Sequence, residues 1–429
     1  MKKLISLLLV TLFCRVGISQ ISKIYGRVLS SADSSAVPDA HIKRKIPASH
    51  AIGTTTNLSG EFALLISEEE ITEKIVFEVT CIGFTSELVT ATVNNRNVTI
   101  YLKPATVILD EIVITDVADS SDFIFHNAIK NIPKNYSNSV ASLEFFFREL
   151  ATQDDVAVEL NECYALMEDP GVSKNPSKIK VVVNEFRKSD DLTDNNFIDA
   201  ALDYLFVKKY NSILYLLEWD PVRHYSNPSQ LIHVDDFQIK KITEKDSDFS
   251  SKIDQVYTTP SGRIFKISQQ RIGSTSVNAN YYIQERGYVI LKVEFEKCFS
   301  GVSEKGLWKG CQIKGVFEYA EYNGKFHLSY ANLRKGILPN FKSATIGKGG
   351  DRAKIFQLEV QRVSNLSAIK KEYDLEKFDE ELDKKRPYNK NFWQNHQVPL
   401  LDKPYQNALK QLSVKKNLGD QFEQNGTEN

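Results

Sequence analysis

The sequence predicts a mainly β protein with some α-helix. A seven-stranded β-sandwich precedes a curved, half-barrel-like antiparallel sheet with helices, and a charged helical tail ends the chain. Between Tyr25 and Lys103, short runs alternate apolar with polar residues, and Gly, Pro, Asn, Asp or Ser separates them. Longer alternating runs extend from Leu143 to Val363, and both charge signs become dense after Lys370. A period of two is typical of half-buried strands, whose turns favour those separating residues.

The composition is typical of a globular protein. The chain has 429 residues, of which 42% are hydrophobic and 25% are charged, and this length allows about two or three hydrophobic cores. The formal net charge of −1 becomes −4 if residues 1–19 are removed, because they contain three basic residues and no acid. A charge so small and so evenly spread argues against nucleic acid as a main partner.

The N-terminus has the pattern of a secretory signal peptide over residues 1–19. A short basic start leads into an apolar run that reaches Phe13. The small residues Gly17 and Ser19 then precede an expected mature start near Gln20. We therefore expect an exported protein.

Later apolar runs fall short of the roughly 20 residues that a membrane helix needs. The longest, Ile213 to Trp219, is interrupted by Glu218. We expect no transmembrane helix in the mature chain.

Residues 20–115 are predicted to form the sandwich. The turn from Asn57 to Gly60 leads into a strand whose Phe62 and Leu64 point inward, and Gly83 interrupts a later strand. Short strands in two layers over about 90 residues are typical of such sandwiches. The runs that carry the strands are Tyr25–Val28, Val37–Ile42, Gly53–Leu64, Val76–Phe84 and Val98–Lys103.

The order of these runs, followed by the phrase Leu109-Asp-Glu-Ile-Val-Ile-Thr115, resembles a known module. It is similar to the carboxypeptidase-regulatory-like (transthyretin-like) domain that precedes the plug of many Bacteroidetes TonB-dependent receptors. The resemblance covers about a fifth of the chain and identifies a module without an activity. It implies a cell-envelope protein, located in the periplasm or associated with the outer membrane, in which the sandwich is a docking or spacer unit.

Residues 122–369 are predicted to form a second, β-rich domain with helices. Apolar residues at positions 124, 125, 128, 129 and 132 predict an amphipathic helix that begins near Asp122 and stops at Pro133. One or two further helices are predicted between Phe197 and Leu217, where they cross the open face of the sheet.

The strands of this domain are predicted to form an antiparallel meander. Parallel pairing needs long crossover connections, and none separates the last eight runs. Asn323-Gly324 is a strong two-residue hairpin signal. The first three runs are 143–149, 156–166 and 178–186, and the last eight are 230–242, 253–258, 263–270, 280–284, 288–297, 311–322, 326–335 and 353–363.

Two further resemblances concern this domain. The run Tyr282 to Phe295 looks like a hairpin of the half-barrel lipoprotein-carrier folds, which cup an acyl chain in a curved sheet. The whole region after the sandwich is similar to an uncharacterised Bacteroidetes envelope family, through the runs Leu143–Glu149 and Asn391–Trp393. These resemblances imply a lipid-like ligand or an envelope protein as the partner.

The aromatic run Phe145-Phe-Phe147 allows two interpretations. In a strand, Phe145 and Phe147 face one side and Phe146 faces the other. Phe145 and Phe147 therefore line either an apolar ligand cavity or an ordinary core, where aromatic residues are common.

Four cysteines remain after residues 1–19. Cys298 ends one predicted strand and Cys311 begins the next. If these strands pair, the two Cβ atoms lie about 4.5–5.5 Å apart, close to what a disulfide requires. We predict a Cys298–Cys311 disulfide, with two buried thiols as the alternative. Cys81 and Cys163 are predicted to be free and buried.

The search for catalytic chemistry yields one weak cluster. His224 and His233 lie nine residues apart, followed by Asp235 and Asp236. Such groups suit a metal or acid–base site of a hydrolase, or else a solvated polar loop. The chain contains neither a Gly-x-Ser-x-Gly elbow nor a glycine-rich phosphate loop. We therefore predict no catalytic residue, cofactor or resident metal.

The C-terminal region changes character. Residues 370–413 are predicted to form a charged helical extension, which Phe392 and Trp393 dock onto the body. Residues 414–429 are polar and are predicted to be disordered.

The pattern as a whole favours a non-enzymatic, exported cell-envelope protein that binds or scaffolds through the sandwich and the curved sheet. An apolar ligand suits the curved sheet. The alternative is a hydrolase with a site near His224, His233, Asp235 and Asp236.

Overall fold

The computed structural model describes most of the chain, in segments. The described residues are 22–44, 53–66, 74–92, 97–107, 120–153, 155–192, 212–226, 249–260, 262–271, 275–303, 306–336, 352–364, 373–374, 386–414 and 416–427.

Strands dominate the described residues. The strands are β1 Ser22–Ser30, β2 His41–Arg44, β3 Gly53–Thr55, β4 Glu61–Ile66, β5 Ile75–Thr80, β6 Glu87–Ala91, β7 Asn97–Leu102, β8 Thr106–Val107, β9 Ala141–Gln153, β10 Val156–Asp169, β11 Lys180–Lys188, β12 Phe249–Thr259, β13 Gly262–Arg271, β14 Thr275–Gln284, β15 Val289–Ser303, β16 Gly306–Tyr322, β17 Lys325–Gly336, β18 Arg352–Ser364 and β19 Tyr373–Asp374. The α-helices are α1 Ser121–Asn135, α2 Ser212–Glu218, α3 Pro221–Ser226, α4 Lys390–Asn395, α5 Lys403–Leu412 and α6 Leu418–Thr427.

The first seven strands form the predicted sandwich. One sheet has the order β4-β1-β7 and the other the order β3-β2-β5-β6. Ile24 and Phe62 from the first sheet share one core with Ile42 and Phe77 from the second. The pairing of β1 with β7 is parallel, because the chain passes through the second sheet between them and so supplies the long connection that parallel pairing needs.

The remaining strands form one large sheet. Its order is β19-β11-β10-β9-β18-β17-β16-β15-β14-β13-β12-β8, and every pairing in it is antiparallel. Strands β12 to β18 follow one another as a meander, which confirms the predicted antiparallel arrangement. β18 then pairs with β9 and joins the meander to β9–β11. The predicted run 230–242 lies outside the described residues.

Local turn chemistry explains the hairpins. Asn323 and Gly324 connect β16 to β17 with φ angles of 49° and 76°. A two-residue turn with positive φ at both positions matches the twist of the strands that it joins. Register shifts interrupt several strand pairs, and bulges of this kind bend a sheet.

The two faces of the large sheet differ in character. We call the face with Phe145, Phe147 and Phe295 the helix face, because helices α1, α2 and α3 contribute to its apolar core. We call the face with Arg148 and Lys292 the polar face. The sandwich and the C-terminal segment contact the polar face.

Helix α1 confirms the predicted helix, although its end differs. Ser120 caps it, because its side-chain oxygen accepts a hydrogen bond from the Phe123 amide. The helix runs past Pro133 to Asn135. A proline in the last turn removes one amide donor yet still allows the final residues to stay helical.

The domain boundaries remain predictions. The expected sandwich boundary at residue 115 lies outside the described residues. Before it, Val107 of β8 already pairs with Tyr257 of β12 in the large sheet.

Two predictions for the C-terminal region are wrong. Residues 418–427, predicted to be disordered, form α6, and Phe422 packs into a small core with Leu150 and Leu160. Tyr373–Asp374, predicted as part of a helix, pairs with β11 as a strand. Residues 375–385 lie outside the described residues. Trp393 is buried, as predicted, with the Arg187 guanidinium 4.1 Å from its ring centre.

We predict that Gly315→Ala destabilises the fold by about 1–3 kcal/mol. A Cβ atom at Gly315 would lie 2.4 Å from the Phe295 ring. That ring cannot yield easily, because it stacks between Trp219 and Phe317, with ring centres 5.7 and 6.0 Å away. Urea unfolding measures the loss. Gly419→Ala, whose nearest neighbour is a flexible side-chain oxygen, is the control, and an equal effect of the two substitutions would contradict the prediction.

Candidate functional site

The structure places Phe145 and Phe147 in a packed core. Their side chains are 0% and 1% exposed, in the same cluster as Phe125 of α1 and Leu216 of α2. Of the two interpretations of this aromatic run, the structure therefore matches the ordinary core. An apolar ligand on this face stays a prediction.

Of the proposed hydrolase cluster, one member is described. His224 lies in α3 with 0% of its surface exposed. His233, Asp235 and Asp236 lie outside the described residues, so their convergence with His224 stays untested. Within the segments that the structure describes, no group of three or more His, Cys, Asp or Glu residues is placed to hold a metal ion.

The described cysteines agree with the prediction except for the burial of Cys81, which is only partial. Cys298 is disulfide-bonded, and the backbone register of β15 and β16 sets it opposite Cys311. The Cys311 side chain lies outside the description, so the pairing of these two residues stays a prediction. Cys163 is free and buried, and Cys81 is free and half-buried.

The junction between the sandwich and the polar face contains a buried charge cluster. The Nζ atom of Lys292 lies 3.0 Å from Asp39 Oδ2, 3.1 Å from Glu294 Oε1 and 3.0 Å from Glu318 Oε1. The lysine side chain is only 9% exposed. His41 of β2 adds a hydrogen bond between its Nε2 atom and Glu318 from the sandwich side. We call these five residues the Lys292 cluster.

The elements of both domains position this cluster. Lys292 of β15 stands opposite Glu318 of β16 in the antiparallel register, and Glu294 follows two residues later on the same face. Asp39 comes from the turn before β2, where it adopts a φ of 54°. Aspartate tolerates this left-handed conformation better than most residues.

The cluster shifts the pKa values of its members in opposite directions. Burial lowers the pKa of Lys292, but Asp39, Glu318 and Glu294 outweigh it and raise that pKa well above its usual value. Burial raises the pKa of Glu318, but Lys292 and His41 outweigh it and hold that pKa at about 2. Burial also raises the pKa of Asp39, and there Lys292 does not fully compensate, since Glu318 and Glu294 are close.

Neutral hydrogen bonds complete the junction. Thr55 Oγ1 donates to Glu359 Oε2 on β18 at 3.0 Å. Gln397 accepts from the Leu65 amide at 2.7 Å and donates to the Ala63 carbonyl at 2.6 Å. The C-terminal segment therefore joins the sandwich edge to the rest of the molecule.

Glu359 is a buried carboxyl group at this junction. Burial raises its pKa to about 7, and the hydrogen bonds from Thr55 and Gln361 only partly oppose this. A carboxyl group that titrates near neutral pH is a candidate functional group, although an interface can shift a pKa in the same way.

Three clefts flank the junction in the described part of the chain, with volumes of about 380, 790 and 470 Å³. The first lies between the loop Thr55–Leu58, the polar face and α5. The second lies between β2, β3 and the ends of β16–β18, and Glu359 lines it. The third includes Cys81 and Lys292. We call the first of these the amide cleft, because Asn278, Asn280, Asn332 and Gln357 line it.

The sequence did not reveal this site. Alternate residues of β15 that share one face include Lys292, Glu294 and Glu296. This pattern is typical of an ordinary solvated strand face. The available signal for the site was the spacing of opposite charges two residues apart along this strand. Nothing in the sequence indicated that Asp39 and His41, more than 250 residues away, would cover them.

Comparisons with known proteins give no family. No protein-family model matches the chain, and no curated protein matches it significantly. Among solved structures, a LolA superfamily protein from Nitrosomonas europaea is 7% identical, with 58% of this chain and 95% of that chain covered and a TM-score of 0.24. A DUF1329 family protein from Desulfovibrio piger is 6% identical, with the same coverage and a TM-score of 0.25.

The Pseudomonas aeruginosa MucA/MucB complex also matches, at 9% identity and a TM-score of 0.16, with 58% of this chain and 99% of that chain covered. At these TM-scores the likenesses support no conclusion about this protein. None of the described helices is long and apolar enough to cross a membrane.

We predict that Lys292→Met destabilises the protein by about 3–5 kcal/mol, because it leaves buried carboxylates without their cation. Lys314→Met is the matched control, since Lys314 lies on the neighbouring strand with its side chain 54% exposed, and its effect should stay within about 0.5 kcal/mol. Urea unfolding at neutral pH compares them. Equal losses in the free energy of unfolding would contradict the prediction that Lys292 neutralises buried carboxylates.

We predict that Glu359→Gln stabilises the protein at high pH. The pKa of Glu359 rises from its usual 4.5 to about 7 on folding. The folded state therefore loses stability as the pH rises between these values, and the glutamine variant avoids that loss. The advantage of the variant should grow by about 3 kcal/mol between about pH 4 and 8.

Urea unfolding over this pH range measures the advantage. Glu87→Gln, at an exposed position of β6, controls for the change in net charge. A pH-independent difference between Glu359→Gln and the parent protein would refute the prediction.

Proposed function

We propose that this chain is a non-enzymatic, exported cell-envelope protein that acts by binding and scaffolding. The observation that carries the proposal is the Lys292 cluster, in which Asp39 and His41 of the sandwich contact Lys292 and Glu318 of the large sheet, respectively. Buried charges of this kind fix the arrangement of the two domains at the junction, because separating the partners would leave buried charges unpaired. The sandwich is thus held as a docking module on a rigid platform. The leader pattern in residues 1–19 supports export.

The apolar core on the helix face supports a structural role for the large sheet. Trp219, directly after α2, stacks on Phe295, and Tyr215 of α2 lies against Phe356 with ring centres 5.8 Å apart. In the described part of the chain, these side chains fill the space between the helices and the large sheet. The sheet then serves as the platform that carries the sandwich.

An apolar ligand is the second candidate, favoured by the aromatic character of the same face. Helices, rather than a second sheet, cover it, and helices can move apart from a sheet to admit a guest. Organic extraction of the purified protein followed by mass spectrometry separates the two candidates. We expect no stoichiometric lipid. A lipid recovered in equal amount with the protein would replace the pure scaffold with a carrier.

We predict no hydrolase activity that depends on His224. The purified protein should not cleave model esters, amides, glycosides or phosphate esters faster than a His224→Gln variant of matched circular dichroism. The buried position of His224 in α3 is the reason, since a catalytic base must reach its substrate. Turnover that disappears in the variant would establish the hydrolase alternative instead.

A further inference from the structure

The floor of the amide cleft is a straight row of side chains across the polar face. Adjacent strands set these residues in register, one beside the next, at about 4.8 Å per strand. From β9 to β14 the row is Arg148, Gln357, Asn332, Val316, Glu294 and Asn280. It forms a line perpendicular to the strands.

This row is unusually polar for a covered sheet face. A sheet face that only packs against another layer is expected to be apolar, yet Val316 is the sole apolar residue among these six. The C-terminal segment uses part of this polarity, since Arg148 donates to the Pro399 carbonyl at 3.0 Å, and a polar occupant of the cleft would use the remainder.

Five of the charged side chains that line the cleft form ion pairs within the protein. Arg148 Nε donates to Glu162 at 2.6 Å, and its Nη1 donates to Gln357 at 2.8 Å. Glu294 pairs with Lys292 at 3.1 Å. Lys314 and Glu296, which also line the cleft, pair with each other at 2.9 Å. An ionic ligand would compete with these internal pairs, whereas an uncharged ligand would not.

The amides provide the complementary chemistry. Each Asn or Gln side chain offers two donors and one acceptor oxygen. Asn332 uses one donor on the Tyr330 hydroxyl at 3.3 Å. Gln357 already accepts from Arg148, and Asn280 accepts from the Ser268 hydroxyl and donates to Glu294. These two amides therefore offer a ligand only their remaining donors and lone pairs. Asn278 and Asn280 of β14 add further amides at the same cleft, and Tyr405 of α5 contributes an aromatic ring to its wall. Groups that both donate and accept suit hydroxyls, which also do both.

We infer that the amide cleft binds a neutral, polyhydroxylated ligand of the oligosaccharide class. The volume of about 380 Å³ falls in the usual range for small-molecule sites. The row lets a linear chain of sugars lie across the strands, with Gln357 and Asn332 side by side near one end and Asn280 at the other. This ligand goes beyond the proposed scaffold, which stands on the Lys292 cluster whether or not the cleft is occupied.

An array of neutral oligosaccharides, followed by isothermal titration calorimetry with the glycan that binds best, tests the inference. We expect saturable binding that Asn332→Ala weakens about tenfold, the usual cost of a lost polar contact in a binding site. Asn278→Ala is the second variant, in case the first fails to fold. Asn127→Ala, on the exposed side of α1, is the matched control and should not change the affinity.

Salt provides a further discriminator. The affinity for a neutral glycan should change less than about twofold between about 0.05 and 0.5 M salt, because no charged contact is screened. The inference is overturned if no neutral glycan binds or if both cleft variants bind like the parent. Binding confined to acidic glycans or to extended peptides, weakened by the same variants, would assign the cleft to another class of ligand and equally overturn it.

Discussion

The Lys292 ammonium group is the point on which the two parts of this molecule depend. It lies within 3.1 Å of carboxylate oxygens of Asp39, Glu294 and Glu318. Two of these carboxylates come from the large sheet and one comes from the sandwich. A lysine so deeply buried keeps its charge only because these partners surround it. The geometry of the junction and the protonation of the cluster therefore depend on each other.

The two faces of the large sheet have different roles. On the helix face, alternate residues such as Phe147, Phe295 and Phe317 form the main hydrophobic core. On the polar face, the intervening residues meet the sandwich and the C-terminal segment through charges and amides, as Arg148 does with the Pro399 carbonyl at 3.0 Å. Stability thus comes mainly from one face, whereas specific docking and ligand recognition are assigned to the other.

Local signals in the sequence were sufficient for most of the fold. The period of two located β9, β10 and β13–β18, and the Asn323-Gly324 turn fixed a hairpin because only a few residue types accept its backbone angles. Helix α1 followed from its apolar spacing. These features depend on neighbours in the chain, and a single sequence contains that information.

Features that depend on distant neighbours could not be predicted in this way. The order and composition of residues 418–427 suggested disorder, yet Phe422 folds against Leu150 and Leu160. The parallel pairing of β1 with β7 and the covering of Lys292 by Asp39 also depend on contacts across the fold. The burial of His224 could not be predicted either. The sequence around it suggested a solvated loop, yet the residue is fully buried.

The coupling between Asp39 and Lys292 decides whether this pair holds the sandwich on the large sheet. A double-mutant cycle with Asp39→Asn, Lys292→Met and the combined variant, measured by urea unfolding, isolates the interaction between the two side chains. We predict that the two losses are not additive, with a coupling free energy of about 1–3 kcal/mol. Losses that add within about 0.3–0.5 kcal/mol would mean that this pair does not hold the sandwich on the sheet.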